Sequence, residues 1–246
     1  MASLNIRGLK SFQVRLALTA TPRFKAVFFD LDGTLVEFKF KVRESRIALI
    51  ELLKSKGFDV SLLNEATRTQ LLVDEAERQW AALNLLKEKE RFDVLKKEIY
   101  SILDDFEFQA LREAKLHDDS LQILRRLASE NISMALVTNS GRRPVDSVLH
   151  KFGFQDYLSV VVTRDEMKKM KPMPDGILLA LERMGLQSRD VLYVGDSVID
   201  VEAARSAKMW SASVATGLFS KEALEKMSPD FLLGRLEDLE NVVFGR

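Results

Sequence analysis

From Ala26 the chain runs through four apolar residues, Ala26 to Phe29, and then breaks abruptly into Asp30-Leu31-Asp32-Gly33-Thr34. A short continuous apolar run closed by a turn signal predicts a strand buried on both faces of a parallel sheet. The alternative at this point is a hairpin, because Asp-Gly between apolar runs also marks a tight turn. A calcium loop of the EF-hand kind fits poorly, since it needs glycine at its sixth position and Gly33 is fourth from Asp30.

The pattern then changes period. From Glu37 to Leu116 there is one glycine, Gly57, and no proline. Ile47, Leu49, Ile50 and Leu53 form a helical stripe that Gly57 ends. Ser61 is the expected cap of a second helix through Leu72, Ala76 and Trp80, and further helix runs through Phe92, Leu95, Ile99, Leu103 and Phe106. This stretch reads as a helical bundle whose many charges alternate in sign and solvate its faces.

After His117 strands and helices alternate. Helices are predicted over Ser120–Glu130, from Pro144 to near Gly153, over Pro174–Met184 and over Val198–Lys208. Between them lie β-rich runs at Ile132–Val137, Leu158–Val162, Val191–Val194 and Ser211–Val214, and Phe231–Leu233 with Leu236–Val243 predicts a last strand and helix. The alternation argues α/β architecture: a doubly wound parallel sheet with a Rossmann-like core. The predicted division is residues 1–36 and 117–246 as catalytic core, with 37–116 as an inserted helical cap.

Composition narrows the chemistry. The 246 residues carry 37 lysines and arginines against 37 acids, which gives no reason to expect a nucleic-acid or membrane partner. Absence of cysteine excludes thiolate metal sites and cysteine nucleophiles, and agrees with a reducing compartment such as the cytoplasm. Residues 1–25 are basic and free of acids, which leaves a transit peptide open. Phe12, Val14, Leu16 and Leu18 alternate there as an edge strand would.

Three predicted strands end in polar groups: Asp30 and Asp32, then Thr138 and Asn139, then Asp196 with Asp200 four residues on. Lys171-Pro172 precedes a helix after a fourth β-rich run. If the strands are parallel, these ends share one edge of the sheet, where ligands of open α/β folds bind. Four crowded carboxylates repel unless a cation joins them. An all-oxygen set suits a hard divalent ion, Mg²⁺ above all. Lys171 would offset the remaining charge and meet an anionic substrate. A carboxylate nucleophile beside a metal and a lysine is a workable device for phosphoryl transfer, although this reading does not say which aspartate attacks.

The ordered set Asp30-Leu31-Asp32-Gly33-Thr34, Thr138-Asn139, Lys171-Pro172 and Gly195-Asp196-Ser197-Val198-Ile199-Asp200 resembles the haloacid dehalogenase superfamily of phosphotransferases. The likeness is greatest to its phosphoglycolate phosphatase and β-phosphoglucomutase branch, and it spans about residues 24 to 246. The resemblance implies a Mg²⁺-dependent phosphatase of a small phosphorylated metabolite, working through an aspartyl phosphate. Asp30 would attack phosphorus and Asp32 would serve as acid and then base. Thr138, Asn139 and Lys171 would bind the phosphoryl group. The metal would be held by Asp30, the backbone carbonyl of Asp32 and Asp196, with Asp200 behind them. A phosphomutase of the same branch is the alternative, and a catalytically idle phosphate-binding protein is a third.

Other residues invite bland readings. His117 and His150 are expected to be structural or on the surface, Trp80 and Trp210 to be core, and Met167, Met170 and Met173 to fill gaps. Arg43 and Arg46 are expected on a solvated helix face, with contact to the far end of a substrate as the alternative. No dinucleotide or P-loop fingerprint is present.

Overall fold

The structure, a computed structural model, describes residues 22–82, 89–217 and 219–245. The alternating stretch Phe12 to Leu18 and the basic segment that suggested a transit peptide, apart from residues 22–25, lie outside the described residues.

The chain order is β1 (Ala26–Phe29), β2 (Val36–Glu37), α1 (Val42–Ser55), α2 (Thr69–Ala82), α3 (Lys89–Leu111) and β3 (Lys115–Leu116). It continues with α4 (Ser120–Ser129), β4 (Ser133–Val137), α5 (Arg142–Phe152), β5 (Val160–Val162), α6 (Asp175–Met184) and β6 (Val191–Gly195). The last elements are α7 (Val198–Ser206), β7 (Trp210–Val214), α8 (Lys221–Lys226), β8 (Phe231–Leu233) and α9 (Leu239–Phe244).

Six strands form one sheet in the order β5-β4-β1-β6-β7-β8, and every pairing in it is parallel. β1 is therefore no hairpin arm. Val27 and Phe29 face one apolar layer with α4, α5 and α9, while Ala26 and Phe28 face the other with α6 and α7. Burial on both faces explains why β1 is apolar without alternation. The order runs outward on either side of β1, so the gap between the carboxyl ends of β1 and β6 is the switch point where such sheets bind ligands.

β2 pairs antiparallel with β3, where the chain leaves the sheet for the helical insert and where it returns. The insert has its own apolar cluster, built on Leu49, Leu53, Leu72, Val73, Ala76, Leu95, Ile99 and Leu103. Met170, from the loop before α6, is also in that cluster.

Three local expectations need correction. Ser61 caps no helix: α2 starts at Thr69, and the intervening chain is held in turns. The Ser61 N–H binds Asp59 Oδ1 at 2.9 Å, Asn64 N–H binds Thr67 Oγ1 at 3.1 Å, and Ala66 N–H binds Asn64 Oδ1 at 2.9 Å. Such side-chain bonds compete with helix. Trp210 is 38% exposed rather than core, with the Arg23 guanidinium 4.8 Å from its ring centre. Met173 is exposed too, whereas Met167 and Met170 are buried as gap fillers would be.

Candidate active site

The motifs converge because the strands are parallel. Asp30 follows β1, Thr138 follows β4 and Asp196 follows β6, so all three leave the sheet at one edge. They line a cleft of about 600 Å³ together with Asp32, Asn139 and Lys171. The far wall is the insert and the chain leading into it, with Phe38, Phe40, Arg46, Arg68 and Thr69.

Lys171 is the hub. Its ammonium donates to Asp30 Oδ1 at 2.6 Å, to Asp200 Oδ1 at 2.7 Å and to the Tyr193 hydroxyl at 2.9 Å. Those are its three hydrogens. The Tyr193 hydroxyl in turn donates to the Val137 carbonyl at 2.9 Å. Burial pulls the Lys171 pKa down, but Asp200, Asp30 and Tyr193 outweigh it and raise it well above the usual lysine value. Lys171 is thus a fixed cation.

Asp200 has two duties. The Ser197 N–H and hydroxyl donate to its Oδ2 at 3.1 and 2.5 Å, and the first of these bonds belongs to the capping box that starts α7. Its Oδ1 serves Lys171. The three-residue spacing from Ser197 is therefore a helix-start requirement as much as a chemical one.

Asn139 lines the same cleft, with its side chain bonded to Lys171. Its Oδ1 accepts the Lys171 N–H at 2.8 Å and its Nδ2 donates to the Lys171 carbonyl at 3.0 Å, so the carboxamide grips the lysine's main chain. The Thr138 hydroxyl accepts the Ser140 N–H at 3.1 Å. Ser140, which the motif reading passed over, donates its hydroxyl to Asp32 Oδ2 at 2.5 Å. Asp32 Oδ1 is buried without a hydrogen-bond partner.

Burial, opposed by Lys171 and reinforced by Asp200, raises the Asp30 pKa to about 6. Burial and the neighbouring Asp30 push Asp32 to about 8 against the Ser140 hydrogen bond. Burial, Asp200 and Asp30 push Asp196 to about 8. The cluster holds more acids than Lys171 can balance, an excess that a further cation would relieve.

Ligand oxygens of Asp30, Asp196 and Asp200 lie within 4.8 Å of one another. Asp196 sits in a cradle without side chains: a Cβ on Gly217 would fall 1.5 Å from its Oδ2, and one on Gly33 2.3 Å from it. Gly33 also has φ +84°, a conformation that favours glycine. An all-oxygen donor set with excess negative charge fits a hard divalent cation. The Asp32 side chain is not a member of the set, and both Asp200 oxygens already have partners.

A second buried network joins insert and core. Arg164, in the loop after β5, forms ion pairs with Asp104 and Glu107 of α3 and donates to the Asn139 carbonyl at 3.1 Å. Glu107 Oε2 accepts the Gly141 N–H at 3.0 Å. Sequence reading missed Arg164 and Glu107; the one available signal was an acid at the position one helical turn past Leu103 on the buried face of α3. His150 is exposed and His117 lies beside β3, neither of them lining the cleft. Arg46 lines it, whereas Arg43 pairs with Glu65 at 3.2 Å on the surface.

Known proteins of similar sequence carry related names. A phosphoglycolate phosphatase of Vibrio vulnificus is 29% identical over 225 residues, covering 89% of this chain and 96% of its own. One of Pectobacterium atrosepticum is 28% identical over 222 residues, covering 87% and 90%. A crystal structure of a hydrolase from Pseudomonas syringae superposes with a TM-score of 0.62 at 20% identity, covering 88% of this chain and 96% of that one, a likeness of fold. The sequence profile of the haloacid dehalogenase-like hydrolases matches residues 24–208, three quarters of the chain, and this protein belongs to that family.

Proposed function

We propose that the protein hydrolyses the phosphate monoester of a small metabolite through a phosphoryl group carried on Asp30. The observation that carries this reading is the Lys171 ammonium bonded at 2.6 Å to Asp30, with Asp32 two residues further on in the same cleft. Asp30 is the more easily ionised of the two, at about 6, and Asp32 the more reluctant, at about 8. Neighbouring acids pushed apart in this way divide into nucleophile and proton donor.

In the first half-reaction an Asp30 oxygen bonds to phosphorus as the bond to the leaving oxygen breaks, and Asp32 gives that oxygen its proton. In the second, water attacks the phosphorus of the acyl phosphate, Asp32 takes the water's proton, and inorganic phosphate and the Asp30 carboxylate are released. Thr138 and Lys171 stabilise the phosphoryl oxygens. Mg²⁺ held by Asp30, Asp196 and the Asp32 carbonyl would supply positive charge against the charge that develops on the transferring group. Asp200 keeps Lys171 in place rather than acting on the substrate.

Residues 37–116 act as a cap over this site. Arg46 and Arg68 on the far wall suit a substrate with a second anionic group, such as the carboxylate of phosphoglycolate, the substrate that the relatives' names give.

Turnover of p-nitrophenyl phosphate with Mg²⁺, lost in excess EDTA, is the first test; full activity in EDTA would sink the metal assignment. Asp32→Asn sharpens it. Nitrophenolate leaves without a proton, so this variant should release about one nitrophenolate per site and then turn over 10²–10⁴-fold more slowly. Mass analysis of the acid-quenched protein should find the phosphate on Asp30. Phosphate on another residue would overturn the assignment.

A further inference from the structure

What fixes Lys171 is only partly the core. Its main chain is gripped by Asn139, but residues 168–173 belong to no helix or strand, so their backbone orientation rests on individual bonds. The Met170 N–H donates to Gln70 Oε1 at 2.6 Å, and Gln70 lies on α2 of the insert. The Gln70 Nε2 donates to Asp74 Oδ1 at 2.8 Å, one turn along the same helix, which orients the carboxamide. Asp74 also pairs with Lys169 at 3.1 Å. The Met170 side chain, 2% exposed, is packed among Leu49, Leu72 and Leu103 of the insert. Gln70 itself is 5% exposed, a polar residue one turn before Val73 on the buried side of α2.

Resting on the phosphatase reading above, we infer that Gln70 is a positioning residue: it holds the Met170 amide so that the docked insert sets the Lys171 ammonium on Asp30. Met170 precedes Lys171 directly. If the insert lifts from the core, the Gln70 bond breaks and Met170 leaves its cluster, so the chain that carries Lys171 loses its anchor on one side. The site is then complete only when the insert is down and water is excluded. Displacements of about 1 Å in a catalytic group cost up to roughly 10²-fold in rate.

Gln70→Met keeps length and helix propensity but removes the acceptor. It should speed amide hydrogen exchange in 168–173 while α2 stays protected, and should lower kcat on p-nitrophenyl phosphate about 10–10²-fold with KM little changed. Should that variant not fold, Gln70→Asn, one methylene short of Met170, is expected to behave in the same way. The double exchange Gln70→Glu/Asp74→Asn returns an acceptor to Met170 and a donor to its partner, and should restore both slow exchange and rate. In a Lys171→Met background Gln70→Met should change the residual rate by less than about twofold, because it acts through Lys171. Unchanged exchange at 168–173 would overturn the inference, as would faster exchange with undiminished kcat or an equal loss in the Lys171→Met background. A wild-type protein without turnover would count against the phosphatase reading, while the exchange comparison would still decide whether Gln70 holds Met170.

Discussion

The two walls of the cleft are built on different principles. On the core wall, Asp30, Lys171 and Asp200 are all less than 7% exposed, and Lys171 bonds to both carboxylates. On the insert wall, the Arg68 side chain is 41% exposed and its bidentate partner Glu202 on α7 is 29% exposed, at 2.7 and 3.1 Å. Burial makes each core group over-determined, since moving one leaves another charge unpaired. The insert wall lies in a wetter setting, where side chains adjust at small cost. On the proposed function, the core wall would carry the chemistry and the insert wall the choice of substrate.

The sharpest way to break this comparison is at Asp30. Asp30→Asn keeps shape but removes the charge proposed to attack phosphorus, and kcat on any phosphate ester should fall by about 10⁴ or more. Steady-state hydrolysis of p-nitrophenyl phosphate measures it, and a rate within about tenfold of wild type would remove Asp30 from the role.

Next comes the join between the walls. Arg164→Met leaves Glu107 buried beside Asp104 without its cation, so urea unfolding should show a loss of about 3–5 kcal/mol. A loss below about 1 kcal/mol would mean that this network contributes no more than a surface pair.

The core wall also predicts an unusual pH response. Asp30, Asp32 and Asp196 have folded pKa values of about 6, 8 and 8 against 3.8 for a free side chain. The unfolded chain releases these protons first, so the native state holds more protons between those values and stability falls as pH rises through them. Metal-free protein should therefore melt at progressively lower temperature from about pH 5 to pH 8, and the stabilisation by Mg²⁺ should grow over the same span. A metal-free melting temperature that climbs over that range would contradict the excess of buried acid.

The smallest effect is expected on the insert wall. Arg68→Ala removes an exposed ion pair, so stability should change by no more than about 1 kcal/mol. KM for phosphoglycolate should rise about tenfold while p-nitrophenyl phosphate is little affected, since only the former offers a second anion to a guanidinium. Equal changes on both substrates would remove Arg68 from substrate selection.

Much of the core wall was legible along the chain, because its parts are local. A four-residue apolar run predicts a strand buried on two faces, polar residues at its end predict its use, and the run after Ser197 predicts a helix. Where prediction failed, a local competitor or a distant partner had decided the outcome. Asx-type turns displaced the start of α2 from Ser61 to Thr69. Trp210 is half open because β7 has only the short β8 beyond it in the sheet.

The amino-acid sequence by itself determined the elements, their alternation and the identity of the chemical groups, since these follow from periodicity, turn residues and motifs read within a few positions. The alternation also implied that the strand ends share one edge, but which atoms bond there, and which residues of the insert dock against the core, was decided by the tertiary structure. Lys171 reaches Asp30 across 141 positions, Arg164 reaches Glu107 across 57, and Gln70 reaches Met170 across 100. Parallel strand order sets the first contact, and docking of the insert sets the other two. The reason is physical: a buried polar group must find a partner, but nothing in its own neighbourhood specifies which distant one the fold will bring to it.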